Sequence, residues 1–121
     1  MVVDEQVWRP DEDQADLLFN ALADATRRDI VRRAAQGEHS VSALAAAYPM
    51  SFAAVQKHVA VLERAGLVTK ERRGRQQLVH TEIKAIRAAS RLLDQFETLW
   101  RDRIDRFGEI LAADARSPAC P

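Results

Sequence analysis

The amino-acid sequence predicts a mostly α-helical domain that carries one small β-hairpin, and three observations support this fold class. Apolar residues recur at helical spacing over most of the 121 residues. Two short strand-like runs, 67–72 and 76–81, flank a tripeptide with glycine at its centre, which is typical of a hairpin turn. A short helix, a tight turn at Pro49 and a second helix precede that hairpin. Together these elements predict a winged helix-turn-helix with a long C-terminal helix.

Composition and charge restrict the class of protein. The apolar share is 47% and the charged share is 30%, which is ordinary for a soluble globular chain. The net formal charge is zero, but residues 1–24 carry one cation against seven acids, whereas residues 51–81 carry six cations against two acids. The positive middle of the chain therefore offers a local field that attracts a polyanion.

The single cysteine and the N-terminal sequence indicate the compartment. Cys120 stands one residue from the end of the chain and has no second cysteine to pair with. No apolar run approaches the roughly 20 residues of a membrane span, and the acidic N-terminus lacks the pattern of a signal peptide. We therefore predict a cytoplasmic, nucleoid-associated protein without a membrane partner.

The first half of the chain divides into an arm and two helices. Residues 1–12 are acidic and patternless, so they predict a flexible arm ahead of a single domain over residues 13–113. A helix from Asp13 carries an apolar stripe that includes Leu17 and Leu18. Asp24 is placed to cap a second helix over residues 25–36, which Gly37 ends.

The helix-turn-helix follows directly. Ser40 or Ser42 begins a short helix that runs to residue 48, and proline then interrupts it. Ser51 can cap the next helix, residues 52–65, because its hydroxyl can accept a first-turn N–H group. Glycine at position 66 adopts the left-handed conformation that a helix C-terminus needs. The apolar face of this second helix consists of Ala54, Val55, Val59 and Leu62.

The last helix is predicted from Thr81 or Glu82 to about residue 113, with a frayed tail over residues 114–121. Its apolar positions recur at steps of three and four, close to a heptad repeat. A helix of about 30 residues spans ~45 Å, more than a domain of this size covers. The excess apolar surface indicates a homodimer. The predicted interface residues are Leu17, Leu18, Leu93, Phe96, Trp100, Phe107 and Leu111.

The sequence resembles the ArsR-type family of small dimeric winged-helix repressors. The resemblance lies in LADATRR (residues 22–28), VSALAAAYPMSFAAVQKHVAVLERAGLV (41–68) and KERRGRQQLVHT (70–81). The segment WRDRIDRFGEIL (100–111) resembles the branch of the family that lacks metal sites. This resemblance implies a homodimer formed by the first and last helices, and control of its own or a neighbouring operon. It also implies that the helix after Ser51 enters the major groove and that the wing tip reaches phosphates or the minor groove.

The predicted DNA contacts lie on this helix and on the wing. Gln56 and Lys57 are the main polar candidates, since the chain has Phe52 and Ala60 where family members often carry basic residues. Phe52 or Ala53 can contact thymine methyl groups. His58 has two interpretations, a phosphate contact or a structural hydrogen bond. The full set of predicted DNA-binding residues is Ser51, Phe52, Ala53, Gln56, Lys57, His58, Arg72, Arg73 and Arg75.

Metal sensing and catalysis find no support in the sequence. Metal-sensing relatives carry cysteines in the helix before the turn or His/Asp pairs on the last helix, because these donors hold soft or borderline metals. Residues 41–48 contain no cysteine and residues 82–113 contain no histidine. His39 and His80 lack ligand-type neighbours and are predicted to be solvated or hydrogen-bonded. We find no nucleophile–base pair and no glycine-rich phosphate loop, and we predict no enzyme and no cofactor.

The leading hypothesis is a dimeric, sequence-specific repressor that binds double-stranded DNA at an imperfect inverted repeat. The alternative is a winged-helix protein–protein interaction module with weak or no specific DNA binding. The sequence leaves the operator, the target genes and any effector, including a redox signal through Cys120, open.

Overall fold

The computed structural model describes residues 10–116, and within this range the chain forms five helices and three short strands. The helices are α1 (Pro10–Leu22), α2 (Ala25–Gln36), α3 (Val41–Ala46), α4 (Phe52–Arg64) and α5 (Ile83–Arg116). The strands are β1 (His39–Ser40), β2 (Val68–Arg73) and β3 (Gln76–Thr81). The predicted fold class, a winged helix-turn-helix with a long last helix, is confirmed. Most of the predicted arm, most of the predicted tail and Cys120 lie outside the described residues.

The chain divides into two compact units at the boundary between Ala89 and Ser90. The first unit contains α1 to β3 and the first two turns of α5, and the second unit is the remainder of α5. The helix-turn-helix and the wing therefore belong to the first unit, whereas most of the exposed apolar stripe belongs to the second.

Three predicted helix caps are present. Asp24 Oδ2 accepts the backbone N–H of Arg27 at 3.1 Å, and Ser51 Oγ accepts that of Ala54 at 3.1 Å. Ser40 rather than Ser42 caps α3, since its Oγ lies 3.0 Å from the backbone nitrogen of Ala43. These oxygens satisfy first-turn N–H groups that have no partner inside the helix. For these three helices the local sequence signals were sufficient to predict the cap.

Several element ends differ from the prediction. α1 begins at Pro10, inside the predicted arm, because proline suits the first turn and the acids at residues 11–13 favour the positive end of the helix. α5 continues to Arg116, past the predicted boundary at residue 113, through the alanine-rich segment that favours helix. α3 ends at Ala46, two residues early. Gly37 ends α2 in an extended conformation, with φ 173°, rather than in the left-handed one.

The sheet has one strand more than the sequence predicts. β3 lies in the middle and pairs antiparallel with both β2 and β1. β1 is only two residues long, and its His39 pairs with Val79 although the sequence analysis placed this histidine in a loop. A strand of two residues has no measurable alternation, so only the tertiary structure can reveal it.

The core of the first unit is aliphatic, with contributions from every helix and from the sheet. Leu18 is 2% exposed and packs in this core, so its predicted role in a dimer interface is wrong. Leu17 is 37% exposed, because neighbouring positions on a helix lie about 100° apart and only one of the two can face the core. The largest fully buried side chains are Leu18, Ile30, Leu44, Leu62, Leu67, Val55, Val59, Val68 and Val79. Within residues 10–116, no helix combines the length and the apolar character that crossing a membrane requires.

Candidate nucleic-acid interface

α4 is anchored by one face and presents the other to solvent. Val55, Val59 and Leu62 are at most 1% exposed, and they hold the helix on the core. The capped first turn fixes the N-terminus of the helix, and Gly66, with a φ of +78°, turns the chain away at its other end. This anchoring leaves a set of small, polar and aromatic side chains at the surface. The exposed positions are Ser51, Phe52, Ala53, Gln56, Lys57, Ala60, Glu63 and Arg64.

The exposed face of α4 has unused hydrogen-bonding capacity. Among the described residues, the side chains of Gln56 and Lys57 have no hydrogen-bond or ion-pair partner in the chain. The Phe52 side chain is 47% exposed in the first turn of the helix. The exposed face of α4 therefore presents an amide, an ammonium group and an aromatic ring to a binding partner.

His58 stands apart from this exposed set. Its Nδ1 lies 3.2 Å from Arg27 Nη1, and the arginine can only donate, so Nδ1 accepts and the imidazole is neutral. Asp24 Oδ2 lies 3.9 Å from the same nitrogen. Of the two sequence-based interpretations, the structural hydrogen bond is the one present. A contact between His58 and DNA stays a prediction.

The wing is closed by a two-residue turn, one residue shorter than predicted. Arg73 pairs with Gln76, so Gly74 and Arg75 form the tip. Gly74 has a φ of +65°, the left-handed region that a tight hairpin requires at its first central position. Arg75 therefore stands at the tip itself, whereas Arg72 and Arg73 belong to β2.

Arg73 is held within the chain. Its guanidinium contacts Glu38 at 3.0 Å and Glu71 at 3.2 Å, and Glu71 also accepts from His80 Nε2 at 2.8 Å. The hydrogen bond from His80 is the largest cause of the lowered pKa of Glu71, and the hydrogen bond from Arg73 is the second. The carboxylates of Glu71 and Glu38 raise the pKa of Arg73. The prediction that His80 is hydrogen-bonded is confirmed.

Arg72 and Arg73 lie on opposite faces of the hairpin because successive strand residues alternate. Arg72 shares its face with Lys70, whose Nζ lies 3.4 Å from Glu63 Oε1 on α4. This contact places the Arg72 face next to α4. Within the described part of the chain, the side chains of Arg72 and Arg75 make no hydrogen bond or ion pair. The three predicted arginines are therefore two free cations and one internally paired cation.

A polar cluster at the turn of the helix-turn-helix was missed. The Tyr48 hydroxyl donates to Asp29 Oδ2 at 2.6 Å, and Arg33 Nε donates to the same oxygen at 2.7 Å. Burial, followed by the Asp29 hydrogen bond, raises the pKa of Tyr48 to about 12, while the tyrosine and Arg33 lower the pKa of Asp29. The sequence pattern did not reveal the role of Tyr48, although it is the only tyrosine in the chain and immediately precedes Pro49.

The second unit carries the apolar stripe of the predicted dimer interface. Leu93, Phe96, Trp100, Phe107 and Leu111 are between 54% and 62% exposed and lie along one side of the helix at steps of three, four and seven. Ile104, which the sequence analysis did not single out, fills the gap in this stripe and is 49% exposed. A soluble helix with such a stripe requires a covering surface.

Among the residues that the structure describes, no group of three or more His, Cys, Asp or Glu side chains is arranged to hold a metal ion. The acids that lie near the wing, Glu38 and Glu71, are both ion-paired with Arg73.

Comparison with known proteins gives consistent results. A family model described as a helix-turn-helix domain matches residues 22–71, which span the helix-turn-helix and the start of the wing. The HTH-type transcriptional regulator Rv2034 of Mycobacterium tuberculosis is 39% identical over 99 residues, a match that covers 82% of this chain and 90% of that regulator.

Solved structures share the same architecture. An ArsR-like transcriptional regulator from Rhodococcus sp. RHA1 superposes with a TM-score of 0.73 at 27% identity, covering 82% of this chain and 93% of that one. The homodimeric winged helix-turn-helix DNA-binding domain of Mb0332 from Mycobacterium bovis, a possible ArsR-family regulator, gives a TM-score of 0.58 at 28% identity. That match covers 70% of this chain and 80% of the other.

Proposed function

The chain belongs to the ArsR-type family of winged helix-turn-helix transcriptional regulators, and we propose that it acts as a homodimeric repressor of its own or a neighbouring operon. Its relatives are transcriptional regulators, not enzymes. Repression at an inverted repeat, the individual contact residues and the cytoplasmic location form part of this proposal. A further part is that no metal ion controls binding, which is supported by the absence of cysteine from α3 and of histidine from α5.

One observation carries the proposal: the face of the wing that carries the free side chain of Arg72 is joined to α4 by an ion pair. The Lys70–Glu63 contact joins the Arg72 face of the hairpin to α4. Gln56 and Lys57 are exposed on that helix. Duplex DNA is recognised by this combination, since cations contact the phosphates while the helix contacts base edges in the major groove.

Each group has a distinct task in the proposed complex. Gln56 reads base edges, because an amide can donate and accept at once. Lys57, Arg72 and Arg75 neutralise phosphates and so supply affinity without sequence preference. Ser51 caps α4 and leaves the remaining first-turn N–H groups directed outward, where a phosphate can accept from them.

Phe52 is assigned to the thymine methyl group. The ring is exposed in the first turn of α4, the part of a recognition helix that contacts bases in helix-turn-helix proteins. Replacing thymine by uracil at one position of a half-site removes only the methyl group. We expect the parent protein to bind the uracil-containing duplex more weakly than the thymine-containing one. The Phe52→Ala variant should bind the two duplexes equally.

The dimer is formed through the stripe on α5. Phe107→Glu should shift the chain from dimer to monomer in sedimentation experiments, because it places a charge in an otherwise apolar contact. Thr98→Glu is the matched control, since Thr98 lies on the opposite side of the same helix and is also exposed. Equal behaviour of the two variants would exclude this stripe as the interface.

The experiment that tests the function is selection of bound fragments from genomic DNA, followed by measurement of affinity for the selected duplex and for a scrambled one. We expect an inverted repeat with half-sites about one DNA turn, or a multiple of it, apart. Gln56→Ala should change which sequence is preferred. No preference for any duplex, together with capture of a protein partner, would instead support the protein–protein module.

A further inference from the structure

We propose that Arg27 is a positioning residue for the recognition helix and that it acts through the neutral imidazole of His58. The inference rests on the proposed DNA binding and adds a residue of α2 that was not among the predicted contacts. Arg27 does not need to touch DNA in this role. It holds α4 at the orientation in which Gln56 and Lys57 meet the groove.

The Arg27 side chain connects three helices. Its Nε donates to the carbonyl oxygen of Ala21 at 2.7 Å, and its Nη2 donates to that of Asn20 at 3.0 Å. Both carbonyls belong to the last turn of α1, where helix carbonyls lack intrahelical partners, and that of Asn20 also accepts the backbone N–H of Ala23 at 3.2 Å. Its Nη1 donates to His58 Nδ1 on α4 at 3.2 Å. One guanidinium on α2 therefore joins the end of α1 to the middle of the recognition helix.

The position of the guanidinium is fixed on two sides. The α1 carbonyls hold its Nε and Nη2, and the backbone N–H of Arg27 donates to the cap Asp24 at 3.1 Å. The guanidinium of arginine is planar and carries several N–H donors, so each additional hydrogen bond costs little conformational entropy. It therefore suits this junction better than the ammonium group of a lysine would. The guanidinium therefore stays in place if α4 moves, and such a movement breaks its hydrogen bond to His58.

His58 transmits this contact to the reading face. It follows Lys57 directly and lies two positions after Gln56, and its side chain is only 22% exposed. A lateral shift at His58 therefore moves both neighbouring side chains relative to the rest of the domain. Base contacts are sensitive to such shifts because hydrogen bonds weaken steeply away from their preferred geometry.

The contact requires an uncharged imidazole. Among the described residues, the charged groups in contact with His58 are Arg27 and Asp24, both at the start of α2. Protonation removes the acceptor at Nδ1 and places a second cation beside Arg27, while it favours approach to the Asp24 carboxylate at 3.9 Å. Both changes draw the imidazole away from Arg27. Imidazoles change charge between about pH 5 and 8, so the arrangement can be tested by pH alone.

Protonation affects the two kinds of DNA binding in opposite directions. Sequence-independent binding should strengthen slightly, because a positive charge is added to a DNA-facing element. Binding to the selected operator should weaken relative to a scrambled duplex, because the hydrogen bond that fixes the orientation of the recognition helix is lost. The ratio of the two affinities therefore separates positioning from simple charge attraction.

The experiment measures that ratio by fluorescence anisotropy for the full chain between pH 8 and pH 5.5. For the parent we expect the operator preference to fall by about tenfold over this range. His58→Asn, whose amide oxygen can replace Nδ1 as acceptor, should keep the parent preference at pH 8 within about threefold and should not show the decline. Arg27→Met should lose about tenfold in preference already at pH 8.

The pH dependence of the operator preference is measured on the parent protein without any substitution. The test therefore remains valid if Arg27→Met folds poorly. His39 and His80 are present in both the parent and the His58→Asn variant, so any contribution from them cancels in their comparison. Identical pH profiles for these two proteins would overturn the inference while leaving the proposed function intact. A parent that prefers no duplex at any pH would overturn the proposed function, and this inference with it.

Discussion

Replacing Arg72 and Arg75 together by alanine should flatten the salt dependence of duplex binding, whereas Arg73→Ala should change it little. The structure motivates this difference because Arg73 is paired with Glu38 and Glu71, while the other two arginines have no partner within the described residues. A cation that is already neutralised by carboxylates displaces few counterions from DNA.

The magnitude follows from the number of phosphate contacts. Each phosphate that a protein neutralises contributes about 0.9 to the slope of log affinity against log salt concentration. Two arginines in each of two subunits correspond to four contacts, so the double variant should lower the slope by about 3.6. Arg73→Ala should lower it by less than about one, since no direct contact is removed.

The assay is fluorescence anisotropy with a labelled duplex of random sequence at salt concentrations from about 50 to 200 mM. A random duplex suffices because the phosphate contribution is independent of sequence. Thermal unfolding of both variants serves as a control for folding. The reasoning is refuted if Arg73→Ala lowers the slope as much as the double variant, or if the double variant leaves the slope unchanged.

The remaining predictions concern the fold that supports the interface. Gly66→Ala should lower the free energy of unfolding by about 1–2 kcal/mol in a denaturant experiment, because Gly66 has a φ of +78°. Gly37 has an extended backbone, so Gly37→Ala should change the same free energy by less than about 0.5 kcal/mol. Ser51→Ala should cost about 1 kcal/mol through loss of the cap, and unchanged stability would contradict that role. Absorbance titration of Tyr48 should give a pKa of about 12, and Asp29→Asn should lower it. Because this folded-state pKa exceeds the ordinary tyrosine pKa of about 10, the associated stability should be complete below about pH 10 and should disappear as the pH rises toward 12.

The acidic side of the pH range should reveal the wing network. The pKa of Glu71 is lowered by its hydrogen bonds from His80 and Arg73. A carboxylate with a lowered folded-state pKa stabilises the fold above its unfolded pKa and loses that contribution as the pH falls. Glu71→Gln should therefore reduce the loss of stability on acidification below about pH 5, measured by thermal unfolding. An unchanged acid profile would show that the network does not stabilise the wing.

The sequence by itself determined the order and type of the major elements. Helix caps such as Asp24 and Ser51, and the glycines at positions 66 and 74, are local signals, because each acts through a hydrogen bond or a backbone conformation within a few residues. The alternation of apolar and polar positions likewise identified the anchored and exposed sides of α4. The exposed stripe on α5 was found by the same helical periodicity.

Only the tertiary structure decided which partners the charged and polar side chains take. Arg73 and Glu38 are 35 positions apart, and Arg27 and His58 are 31 apart, so no local pattern can connect them. The two-residue strand β1 and the assignment of Leu18 to the core depend in the same way on what packs nearby. The physical reason is that caps and turns are satisfied within a few residues, whereas ion pairs and burial are chosen among groups that only the folded chain brings together.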